Sequence, residues 1–279
     1  MKDDLRGIAA LTVVTFHEAR KRKVLLAAFV LGLLFLALFA WGFRTTVVEA
    51  ASVPPTIQRL QHNLLTLAGL YVVNFLVAVT AVALPVDTLS GDIASGVVHT
   101  LLTKPLCRAA VVIGKWLGFL GLLTLYLCFM AGGVLLVARL TAGYTPPNAP
   151  AALAAMWLGG VVLLTMTIAG GTRLSTLTNG VVVFGLYGVA FIGGWMERIG
   201  TLLGNATARN LGIASSLLVP TEAMWQYAAA LLQPTLARQF GLGLFSVDST
   251  PSPLMLGWAV GCVLVNLALA VWWFERRDL

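Results

Sequence analysis

Six stretches of this sequence run for about twenty residues with almost no charged side chain, and that pattern leaves few folds open. A helix rises about 1.5 Å per residue, so a run of that length matches the roughly 30 Å hydrocarbon core of a bilayer. Lipid offers the backbone no hydrogen-bond partner, and a helix supplies all of its own. The runs are residues 24–43, 64–84, 110–137, 152–171, 177–195 and 254–274. The expectation is an all-α integral membrane protein with six transmembrane helices in one domain, residues 1–279. Composition agrees. The chain is 59% hydrophobic and only 10% charged, where a soluble domain carries about 25% charged residues.

Charge orients the chain. Of its 18 Lys and Arg residues, six fall on one side of the spans: Arg44, Arg59, Arg139, Arg198, Arg209 and Arg238. The other twelve fall on the opposite side or at the span ends facing it. Basic residues collect on the cytoplasmic face. Both termini and residues 85–109 and 172–176 are therefore read as cytoplasmic, in a plasma (inner) membrane. The net charge of +7 then needs no nucleic acid to explain it. Lys115, about one turn inside its span, is expected to reach back to the interface along its four-carbon stem.

Residues 1–23 place Leu5, Ile8, Ala9 and Thr12 at helical spacing and end in the basic cluster Arg20–Lys23. This reads as an amphipathic surface helix on the inner leaflet. The apolar run that follows has the length of a span and no small-residue cleavage site, so it reads as a span rather than a signal peptide. On the outer side, Pro54-Pro55 and Pro146-Pro147 with Pro150 mark loops. Residues 196–253 form a long third loop, expected to carry short helices before span six. Thr221 is the candidate N-cap of one that runs to about Leu232, before Pro234.

The longest polar interruption on the cytoplasmic side is residues 85–109. It holds Asp87 and Asp92, the helix-weakening Gly91 and Gly96, a short apolar run ending in Leu102, and then Lys104-Pro105. Pro105 cannot continue a helix and biases Lys104 toward extended geometry. A short surface helix, a sharp stop and a basic return through Arg108 and Lys115 follow from that pattern. An ordinary loop is the plainer reading.

Chemistry is sparse. No G-x-x-x-x-G-K-[ST] occurs, so nucleotide is not expected on this chain through a P-loop. No G-x-S-x-G occurs. Ser90 would need His99 as its base to make an intramembrane protease, and Ser90 sits at a membrane edge. His17, His62 and His99 are isolated from other metal-type ligands, and Cys107, Cys128 and Cys262 lie far apart. Neither a metal nor a cofactor is expected. No acid or histidine lies mid-membrane within the spans, which argues against a proton-coupled carrier.

Against that background, three segments resemble the type 2 ABC transporter permease family. They are Gly91-Asp92-Ile93-Ala94-Ser95-Gly96, Leu101-Leu102-Thr103-Lys104-Pro105-Leu106-Cys107-Arg108 and Val112-Ile113-Gly114-Lys115-Trp116. The basic turn before span one, Pro220-Thr221-Glu222-Ala223-Met224-Trp225 and the tail Phe274-Glu275-Arg276-Arg277-Asp278-Leu279 resemble it too. The nearest branch includes the permease of nitrous oxide reductase maturation. One position departs: Ser90 stands where a second acid is expected.

The resemblance implies a permease subunit, more naturally an exporter than an importer, with a partner performing ATP hydrolysis. Residues 1–23 would be an elbow helix and 85–105 a coupling helix seated in the ATPase. Asp87, Asp92, Gly96, His99, Leu102, Lys104, Pro105 and Arg108 would form the docking set, with Gly114 and Lys115 guiding the return into the membrane. Asp92 would dock or cap, and Pro105 would set the return angle. Partners would be two copies of an ABC ATP-binding subunit that carry ATP and Mg, a second permease subunit as a homodimer, and membrane lipid. A membrane anchor or assembly factor that moves nothing is the alternative.

Overall fold

The computed structural model describes residues 2–50, 54–94, 107–234 and 251–277. Among the described residues there are ten helices and no strand. In chain order they are α1 (Lys2–Arg20), α2 (Lys23–Glu49), α3 (Pro55–Ala83), α4 (Thr88–Ala94), α5 (Arg108–Ala142), α6 (Ala149–Gly171), α7 (Thr176–Leu202), α8 (Ala206–Leu218), α9 (Thr221–Leu232) and α10 (Leu254–Glu275). Six of them, α2, α3, α5, α6, α7 and α10, are long and apolar enough to cross a membrane. The chain is a multi-pass membrane protein.

The helices outlast the apolar runs that announce them. α3 starts nine residues before its run, at Pro55, because proline is well placed at the first helical position, where its missing N–H is not needed. Pro150 plays the same part in the first turn of α6. Pro55 and Pro150 therefore start helices, while Pro146 and Pro147 lie in the loop they mark. α7 continues through Arg198 to Leu202, so its last turns come out of the expected outer loop. α5 ends where Gly143 takes a left-handed φ of 62°.

α6 is the most buried span, and α2 and α10 are the least buried. α6 packs against α3, α5, α7, α9 and α10. α1 lies alongside the start of α5, with Leu11 over Gly114 and Thr15 over Gly118. Those contacts advance in the same direction along both helices. Leu11, Thr15 and Ala19 are buried by this packing.

α8 and α9 form a hairpin inserted into the bundle from the end opposite α4. α8 folds back along α7, and α9 runs along α6, with Thr221 and Met224 beside Gly159, near the middle of that span. α9 has the bounds expected from sequence, although Pro220 rather than Thr221 occupies its N-cap position. The α7–α8 contact requires glycine. A Cβ on Gly212 would lie 2.5 Å from the Gly193 carbonyl oxygen and 2.7 Å from the Glu197 nitrogen, both backbone atoms that cannot rotate away. Gly212→Ala is therefore expected to lower stability by about 1–3 kcal/mol, the usual cost of overpacking. Thermal unfolding in detergent checks this against Gly132→Ala, whose new Cβ meets nothing within 4 Å.

Candidate functional site

The short helix α4 is tied into the bundle far more tightly than a surface loop. It follows α3 after a turn in which Thr88 N donates to Pro85 O (2.9 Å) and Gly91 N to Asp87 O (2.8 Å). Thr88, Leu89 and Ser90 are buried. Leu89 packs on Gly171 at the end of α6.

Polar contacts then fasten α4 to two more spans. The Lys115 ammonium of α5 donates to Thr88 O (3.1 Å) and forms an ion pair with the Asp92 carboxylate. Lys115 is only 5% exposed. Its stem runs toward α4 at the end of the span, where a carboxylate and a carbonyl satisfy the buried ammonium. Thr176, at the start of α7, donates to Asp87 Oδ1 (2.9 Å) and lies 2.8 Å from Ser90 Oγ. Ser90 Oγ also lies 3.1 Å from Val86 O, so its one proton goes either to that carbonyl or to Thr176 Oγ1.

A second set of bonds closes the same end of the bundle. Arg108 Nη1 donates to Glu275 O (3.0 Å) and Arg277 O (2.8 Å), so a cation caps the C-terminal turn of α10. Arg277 donates in turn to Thr172 O, just past α6. Asn179 Nδ2, fully buried on α7, donates to Thr167 O (2.9 Å).

The residues expected at this site divide as follows. Asp87, Asp92, Arg108 and Lys115 gather at one end of the bundle. Gly114 neighbours Lys115 in sequence but faces α1 on the other side of α5. Gly96, His99, Leu102, Lys104 and Pro105, with the helix stop expected at Lys104-Pro105, lie outside the described residues. Sequence reasoning missed Thr176, Thr172 and Arg277, since short polar residues at helix ends look alike until packing brings them together.

It also missed an acid deep in the bundle. Glu222 is 2% exposed and pairs with Arg198 at 2.6 Å. Its side chain fills the space left by Gly194. A search confined to the six spans cannot find it, because it arrives on the inserted hairpin. Arg198 also lies over the Trp195 ring, 5.4 Å from its centroid.

Compared with known families, the chain matches the one described as ABC-2 family transporter protein over residues 12–279. No curated protein matches it.

Proposed function

This chain belongs to the ABC-2 family of transporter proteins, and on that premise we propose that it is the membrane permease subunit of an ATP-driven exporter that docks a separate ATPase through residues 85–105. In this reading α4 begins the coupling helix and both termini are cytoplasmic in the plasma membrane; α1, expected as a surface elbow helix, instead runs along the start of α5, with Leu11 and Thr15 over Gly114 and Gly118. Two ATPase subunits bind ATP and Mg, and two copies of this chain form the path. Within the family we place the chain in the branch of the nitrous oxide reductase maturation permeases, on its motifs alone.

The observation that supports coupling is the triple fastening of α4. It is joined covalently to α3, through Asp92–Lys115 to α5 and through Ser90–Thr176 to α7, with Asp87 in the preceding turn bonded to the same Thr176. A partner that moves α4 must move all three spans with it. ATP-driven closure of an ATPase pair binds one arrangement of the coupling helices better than another, and that difference in affinity shifts the spans as rigid bodies. Asp92, a member of the proposed docking set, acts here also as a brace inside the chain.

Purification of the tagged chain from its native host in mild detergent tests the reading. The expected result is recovery of a soluble Walker-motif subunit and ATP hydrolysis in the eluate. Recovery of the chain alone, with no hydrolysis, would leave a membrane anchor as the better account.

A further inference from the structure

At the end of the bundle opposite α4, a cavity of about 470 Å³ opens between α7, α8, α9 and the start of α10. Its walls are mainly apolar, including Ile213, Met255 and the indole of Trp258. Trp258 is held in place by its own N–H, which donates to Leu217 O (2.9 Å). Polar groups converge at one side: Glu197, Gln226 and Ser216. Gln226 Nε2 lies 3.4 Å from Glu197 Oε2. Ser216 is 3% exposed, and its hydroxyl has no hydrogen-bond partner among the described residues.

A buried hydroxyl without a partner is costly, and such groups ordinarily find one. Here it lines a cavity within the range of small-molecule sites, roughly 300–1,000 Å³. The charge is also unbalanced. Glu197 and Glu222 stand near one guanidinium, Arg198, which pairs with Glu222, and Glu197 has no ion pair among the described residues. No Lys or Arg lines the cavity among the described residues. An apolar chamber with one carboxylate and an indole face favours a cation with an apolar body, since the ring attracts positive charge as the carboxylate does.

We propose that this cavity binds a lipophilic organic cation, with its charged centre beside Glu197 and its apolar body against Trp258 and Met255. The site does not rest on the permease reading, because binding is measured on this chain alone. A lipid ammonium headgroup and a free amphiphilic cation share this chemistry.

The test uses the full chain in detergent with tetraphenylphosphonium and with tetraphenylborate, which has the same shape and the opposite charge. Saturable binding of the phosphonium, with tetraphenylborate at least tenfold weaker, is expected. Glu197→Gln should weaken phosphonium binding at least tenfold, and Trp258→Ala should weaken it by a smaller factor. Competition by phosphatidylethanolamine but not phosphatidylglycerol identifies the lipid as the source, and no competition by either identifies a free cation. Equal binding of the two probes, absence of saturable phosphonium binding, or a folded Glu197→Gln chain with unchanged affinity overturns the proposal. The comparison of the two probes on the unaltered chain decides the matter even where a variant does not fold.

Discussion

Asp92→Asn is expected to destabilise the protein by roughly 2–4 kcal/mol, because it strands the Lys115 ammonium in the interior. That ammonium is 6% exposed at the side chain, and without Asp92 it keeps the Thr88 carbonyl. The reverse deletion should cost less. Asp92 is 21% exposed, so after Lys115→Met its carboxylate reaches water, and a loss of about 1–2 kcal/mol is expected. The exchange of both residues, Asp92→Lys with Lys115→Asp, should recover a good part of the loss. Thermal unfolding in detergent measures all three. Equal cost for the two single changes, or no recovery in the exchange, would mean that the pair does not brace α4.

The second large effect belongs to Arg198. Arg198→Met leaves the Glu222 carboxylate 2% exposed beside the Gly194 backbone, with the like charge of Glu197 acting on it. Breaking a buried pair in this way costs roughly 3–5 kcal/mol. Most of that is the penalty of an unpaired charge, not the worth of the pair. Arg198→Met combined with Glu222→Met should therefore be much more stable than Arg198→Met alone. A double-mutant cycle followed by thermal unfolding reads this coupling. Additive costs would show that the two side chains act independently.

The sequence makes the six spans legible because span length and absence of charge are local properties, visible in runs such as 152–171 and 254–274. α9 is legible for the same reason, since Pro220 and Pro234 bracket an apolar stretch. Helix ends are less so. Arg44, Arg59, Arg139 and Arg198 lie on helices that extend past the apolar runs, where a change in polarity does not stop a backbone that keeps its own hydrogen bonds. The partners of Asp92 and Glu222 are not legible. Lys115 follows Asp92 by 23 residues and Arg198 precedes Glu222 by 24, and nothing in the intervening chain announces either pairing. Burial reverses what each cation seems to be for. Lys115 reads as an interfacial lysine and Arg198 as one of the outer charges, yet each is largely buried and is the counter-ion of a carboxylate, partly exposed Asp92 for the first and buried Glu222 for the second. Ser90, where an acid is expected, contributes a hydroxyl to the Asp87–Thr176 contact instead.

The proposed function requires an ATPase at the α4 end of the bundle. Cys107 is exposed just before α5 and offers a natural handle there, once Cys128 and Cys262 have been replaced by serine. A benzophenone attached at Cys107, photolysed in membranes of the native host, should form an adduct with a soluble ATP-binding subunit, in a yield that changes when ATP and vanadate are added. Adducts with lipid or with this chain alone, in the presence and absence of nucleotide, would mean that no ATPase docks at this end.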